Sequence, residues 1–173
     1  PKAKWVYLSA MGKGCDEIYP DLEKYLLKHN AKFGFNPGGW QLDAGIKTYG
    51  RLLDLCTVIF VNKEEARELF NNKKKKSFAN LEDEMIYLLN VVREKGPEIV
   101  VITDGKNGAF AFDGKYYWHV PVHPTKAIEM TGAGDAFSAG VLAGLMCEKS
   151  LEEALMFGSC NASSVIMHIG PQK

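Results

Sequence analysis

The chain predicts an α/β fold on a mostly parallel sheet, and three observations carry that expectation. Short runs rich in β-branched and aromatic residues alternate with longer stretches of helical periodicity. Glycine, proline and asparagine cluster where strands should end. One Asp-Gly pair between two apolar runs signals an antiparallel hairpin that interrupts an otherwise βαβ rhythm.

Trp5 to Ser9 is the first expected strand. Ile18, Leu22, Tyr25 and Leu26 recur at helical spacing and predict a helix that stops near His29-Asn30. Lys32 to Phe35 follows as a strand, closed by the turn cluster Asn36-Pro37-Gly38-Gly39. Leu42 to Leu55 reads as one helix, and Thr57 to Val61 (TVIFV) as a strongly apolar strand. Asn62-Lys63-Glu64-Glu65 leads into a helix running toward Phe70, and Leu81 to Glu94 gives another. Glu98 to Thr103 (EIVVIT) is the fourth strand, followed by the loop Asp104-Gly105-Lys106-Asn107-Gly108. Ala109 to Phe112 and Tyr116 to Val122 flank Asp113-Gly114 as the hairpin. Two helices, about Ala133 to Cys147 and Leu151 to His168, close the chain. Without linker, repeat or low-complexity tract, one domain is the economical organisation.

Of the 173 residues, 46% are hydrophobic and 24% charged, ordinary proportions for a globular protein. Basic and acidic residues both number 21, so the formal net charge is zero. No bulk field would recruit nucleic acid or an anionic membrane, and a small-molecule partner is expected. No apolar run approaches the ~20 residues of a membrane span. Cys15, Cys56, Cys147 and Cys160 are widely spaced without a C-x-x-C pair, which indicates neither a zinc knuckle nor a disulfide framework. They read as reduced core thiols in a cytoplasmic protein. The chain opens at Pro1 and moves at once into a strand, as a chain missing its beginning would.

Chemistry concentrates in EMTGAGDAFSAG, Glu129 to Gly140. Gly132, Ala133 and Gly134 before a helix let the backbone turn tightly and leave N–H groups pointing outward, where the helix dipole favours an anion. Such an anion hole suits phosphate. Asp135 falls in the first turn, where the dipole favours the ionised carboxylate, and a carboxylate beside an anion hole accepts the proton of a hydroxyl attacking a phosphoryl group. A structural account stands beside this one: an acidic residue opening a buried helix whose Ala136, Ala139, Gly140, Ala143 and Gly144 allow close packing. A dinucleotide loop fits poorly, because G-x-G-x-x-G from Gly132 needs glycine where Phe137 stands.

Other polar residues read less sharply. Taken alone, Asn62 is an N-cap and Glu65 its capping-box partner, although an amide and a carboxylate at a strand's end also suit a hydrated magnesium ion. Asn161 in the last helix reads as well as a buried asparagine satisfying a carbonyl. His119 and His123 share a strand face but lack a third ligand, so no zinc is expected. The run Lys73 to Lys76 reads as a solvated loop.

Thr131-Gly132-Ala133-Gly134-Asp135 followed by Ala136-Phe137-Ser138-Ala139-Gly140 closely resembles the C-terminal signature of the ribokinase-like, PfkB-type carbohydrate kinases. Two further matches fall in the family's order. Asn62-x-x-Glu65 is similar to its N-x-x-E motif, and Thr103-Asp104-Gly105-x-x-Gly108 to its nucleotide-binding T-x-G loop. The resemblance implies a three-layer α/β/α sandwich with a mostly parallel central sheet and an antiparallel hairpin. It implies Asp135 as catalytic base, Gly132, Ala133 and Gly134 as the anion hole, and Thr103, Asp104, Gly105, Gly108 and Asn161 at the nucleotide. Asn62 and Glu65 would organise Mg2+ through water.

The activity so implied is transfer of the γ-phosphoryl group of ATP to a hydroxyl of a sugar or nucleoside, and a homodimer of the full-length protein is compatible with it. Where members carry aspartate and threonine just before the signature, this chain has Glu129 and Met130, so the resemblance does not carry over activation by a monovalent cation. Residues 1–173 match the C-terminal, nucleotide-binding and catalytic portion of the kinase domain, with the N-terminal substrate and lid half absent. The chain alone is therefore expected to be inactive. The alternative is a non-catalytic nucleotide-binding or regulatory relative, which would have no use for the base Asp135.

Overall fold

The runs expected as strands pair in chain order. The computed structural model describes residues 2–70 and 77–169. Its strands are β1 (Trp5–Leu8), β2 (Lys32–Phe35), β3 (Val58–Asn62), β4 (Ile99–Thr103), β5 (Ala109–Phe112) and β6 (Tyr117–Val120). They form one six-stranded sheet in the order β1-β2-β3-β4-β5-β6. β1 lies parallel to β2 with Trp5 opposite Lys32, and β2 parallel to β3 with Phe35 opposite Ile59. The sheet is mixed, with helices on both sides, as an α/β sandwich requires. Phe33, Phe35 and Val58 through Val61 are all buried, because a parallel strand covered on both faces leaves no side for water.

Helix ends follow local chemistry. α1 (Tyr19–His29) stops at Asn30, which takes the left-handed conformation with φ 48°. The single helix expected from Leu42 to Leu55 is instead two, α2 (Gly39–Ala44) and α3 (Ile46–Asp54). Gly45 breaks it with φ 79° and ψ 162°, a conformation open to glycine and closed to nearly every side chain. α4 (Lys63–Phe70) follows β3 directly. α5 (Leu81–Arg93) opens on Asn80, whose Oδ1 accepts the Asp83 N–H at 2.9 Å. The run Lys73 to Lys76 lies outside the described residues. α6 (Ala133–Met146) and α7 (Leu151–Ile166) complete the chain.

The described residues divide into two compact units, one within Pro1–Ile102 and Ala111–Tyr117, the other within Thr103–Phe110 and Trp118–Lys173. The boundaries fall among β4, β5 and β6, where no linker composition marks them. In the first unit the core gathers Phe35 edge-on to Tyr49 at 5.4 Å with Leu52, Leu53, Leu88 and Leu89. Buried Gln41 pins its loops, its Oε1 accepting the N–H groups of Gly38 at 2.8 Å and Met11 at 3.1 Å.

In the second unit α6 and α7 touch backbone to backbone. A Cβ at Gly158 would stand 2.8 Å from the Phe137 carbonyl oxygen, and one at Gly140 would stand 2.8 Å from the Gly158 Cα. Small residues at this contact are what let the two helices meet.

Candidate functional site

A cavity of about 130 Å³ opens in the second unit. Its walls take Thr103, Gly105 and Gly108 from the loop after β4, Ala133, Gly134 and Phe137 from the start of α6, Val120 and Pro121 from the end of β6, and Ser159 and Ser163 from α7. This volume falls short of the ~300 Å³ at which ligand pockets usually begin.

The loop after β4 closes on itself. The Asp104 N–H donates to the Gly108 carbonyl at 2.8 Å, the Asn107 N–H to the Asp104 carbonyl at 2.9 Å, and the Asn107 side-chain amide to the Asp104 carboxylate at 2.8 Å. A Cβ at Gly108 would fall on the Val120 carbonyl oxygen and 2.9 Å from the Pro121 Cα. Only glycine lets the loop lie that close to the segment after β6. That segment is in turn laced to α7. The Ser159 hydroxyl donates to the Pro121 carbonyl at 3.0 Å and accepts the His123 N–H at 3.2 Å, while the Ser163 hydroxyl donates to the His123 carbonyl at 3.3 Å.

Gly132 sets the entry to α6 by adopting φ 81°, which frees the chain to turn sharply into the helix. The first helical bond runs from the Ala136 N–H to the Gly132 carbonyl at 2.9 Å. No side chain caps this end; the Ala133 N–H donates to the Met130 carbonyl at 3.2 Å, which leaves the N–H groups of Gly134 and Asp135 to face an anion. Buried Ser138 steadies the turn by donating to the Gly134 carbonyl at 3.0 Å. A Cβ at Gly134 would meet nothing within 4 Å, so this backbone faces open space. Asp135 is exposed in the same turn.

Of the residues expected from sequence at the anion hole and the nucleotide, the cavity brings together Thr103, Gly105, Gly108, Ala133 and Gly134. Asp104 shapes its loop from within. Asn161 is exposed, off the cavity wall, and donates its amide to the Ala136 carbonyl at 2.7 Å. The sequence reading missed Ser159 and Ser163; their signal was two hydroxyls one helical turn apart in a run of small residues.

Two expectations need correction. His119 and His123 do not share a strand, because β6 ends at Val120 where Pro121, lacking an N–H, cannot extend the ladder. Cys15 and Cys56 are core thiols, but Cys147 and Cys160 are exposed on the two-helix unit.

In the first unit, Asn62 ends β3 and Glu65 opens α4. The Asn62 Oδ1 accepts the Glu65 N–H at 2.9 Å, and the Glu65 Oε2 accepts the Asn62 N–H at 2.7 Å, a reciprocal capping box. Among the described residues no group of three His, Cys, Asp or Glu forms a metal cage. Magnesium seldom needs one, since it keeps its waters and takes one or two carboxylates beside phosphate oxygens; an amide and a carboxylate fit it on those terms.

Burial raises the Glu65 pKa above its ordinary value of 4.5, with the Asn62 N–H partly opposing. The folded chain therefore holds that proton to higher pH than the unfolded chain does. Its contribution to stability is full below 4.5 and is lost as pH rises through the raised value. Glu65→Gln, which keeps an acceptor for the Asn62 N–H, should remove this dependence. Urea unfolding should show wild type losing stability relative to the variant as pH rises above 4.5. A difference that does not change with pH would refute it.

A family model described as pfkB family carbohydrate kinase matches residues 2–173. Fructoselysine 6-kinase of Escherichia coli is 34% identical over 90 residues, 51% of this chain and 34% of that protein. Cytidine kinase of Thermococcus kodakarensis is 30% identical over 115 residues, 65% of this chain and 38% of that protein. The structure of Arabidopsis thaliana ribokinase complexed with ribose and ATP superimposes with a TM-score of 0.81 at 24% identity, covering 97% of this chain and 51% of that one. The chain thus spans about a third of the length of these two curated relatives and about half of that solved structure.

Proposed function

Because the chain belongs to the PfkB family of carbohydrate kinases, we propose that it is the nucleotide-binding and catalytic portion of an ATP-dependent kinase acting on a sugar or nucleoside hydroxyl. The observation that carries this reading is the cavity at which the loop after β4 and the first turn of α6 meet. Thr103, Gly105 and Gly108 would lie along the nucleotide, with Asp104 fixing the loop's shape. The backbone of the Gly132-Ala133-Gly134 turn would hold phosphate oxygens, with the Gly134 N–H as a donor, and Asn161 would steady that turn through the Ala136 carbonyl. Asp135, exposed beside them, would take the proton of the attacking hydroxyl.

Asn62 and Glu65 would hold Mg2+ through water. When bound, magnesium neutralises charge developing on the transferred phosphoryl group. The names of the relatives, a kinase of fructoselysine and one of cytidine, support an acceptor that is a sugar or a nucleoside. Four free cysteines accord with a cytoplasmic setting.

The test is acceptor-dependent ADP release by the full-length protein with ATP, magnesium and a panel of pentoses, hexoses and nucleosides. No turnover with any of them would sink the reading. Gly134→Val probes the anion hole separately. Open space at this position means the fold should tolerate the side chain, while a phosphate approaching the backbone should not. Calorimetry should find ATP weakened roughly 10- to 100-fold, the range of one charge-assisted hydrogen bond, at unchanged melting temperature. Unaltered ATP affinity in the folded variant would count against phosphate at this turn.

A further inference from the structure

The loop after β4 is held at two points by neighbouring residues of β6. Val120 receives it at its base, where Gly108 closes in. His119 receives it at its tip, the Nε2 lying 2.9 Å from the Asn107 carbonyl oxygen. A carbonyl only accepts, so Nε2 carries the hydrogen. The His119 ring is itself fixed, stacked on Phe110 of β5 with centroids 4.3 Å apart and planes 19° from parallel. Asn107 has no other means of reaching β6 among the bonds described, because its side-chain amide is committed to Asp104 inside the loop.

We infer that His119 is a positioning residue for the nucleotide, holding the loop after β4 in its binding shape while touching no part of the ligand. The inference rests on reading that loop as nucleotide-binding. His119 is exposed and absent from the cavity wall, so its loss should cost the fold little. It should instead leave the loop to be ordered at the moment of binding, which lowers affinity.

The experiment compares full-length wild type with His119→Ala, His119→Phe and His119→Gln by ATP calorimetry and steady-state kinetics. Phenylalanine keeps the stack and loses the donor; glutamine keeps a donor. His119→Ala and His119→Phe should weaken ATP roughly 3- to 10-fold, the range of one hydrogen bond, with kcat and acceptor KM within about twofold of wild type. His119→Gln should recover most of that loss. ATP affinity unchanged in His119→Ala, or a parallel fall in ATP affinity, kcat and acceptor KM, would overturn the inference while leaving the kinase reading in place. A wild type that binds no nucleotide would overturn both.

Discussion

Asp135→Asn in the full-length protein should cut phosphoryl transfer by ~10²–10⁴, the usual loss for a removed general base, with ATP affinity within about twofold of wild type. The substitution conserves shape at an exposed position in the first turn of α6, so the turn that Gly132 begins and Ser138 steadies should persist. What disappears is the charge that, on the proposed reading, would accept the hydroxyl proton. The loss of a favourable dipole contact costs stability by only ~0.3–1 kcal/mol, too little to mimic a catalytic defect. Single-turnover ADP formation with a saturating acceptor checks it. Near-normal turnover would strip Asp135 of the role, and a non-catalytic relative would show no acceptor-dependent turnover even in wild type.

Gly158→Val should destabilise the two-helix unit by about 3 kcal/mol, the upper part of the overpacking range, because the added side chain meets backbone that cannot rotate away. Its Cβ would lie 2.6 Å from a Val141 methyl and 2.8 Å from the Phe137 carbonyl oxygen. Relief comes only by separating α7 from α6, which moves Phe137, Ser159 and Ser163 on the cavity wall. Thermal melting should therefore fall by several degrees and ATP binding should weaken with it. Gly134→Val is the contrast, since a larger side chain there meets open space. A Gly158→Val protein of wild-type stability would mean that the helices do not make the contact described.

Much of the fold was legible because it depends on patterns with a fixed period. β2 spans Lys32–Phe35, the run closed by the Asn36-Pro37-Gly38-Gly39 turn cluster, and α7 starts at Leu151 after a Ser150 cap. The break at Gly45 was not legible. Leu42, Ile46, Tyr49 and Leu53 keep a helical pattern across it, and periodicity carries no information about a single positive φ. The two glycine-bearing walls of the cavity, the loop after β4 and the entry to α6, were legible, because close backbone approach and tight turns restrict residue choice severely. Ser159 and Ser163 were missed for the opposite reason: a helical serine is tolerated almost anywhere, and only its distant partners reveal what it does. Asn62 and Glu65 lie between these cases, since one pattern serves a capping box and a hydrated ion alike.

The lacing of residues 121–123 also bears on the edge of the described sheet. β6 comes last in the sheet order, and a bare edge strand is a template on which another chain can add itself. Just beyond Val120, however, Pro121 offers no N–H, its carbonyl accepts from Ser159, and the His123 N–H and carbonyl are taken by Ser159 and Ser163. Over these residues an incoming strand would have to displace helix hydroxyls to pair. The serines that complete the cavity wall thus also tie up main-chain groups that a ladder extended past Val120 would need.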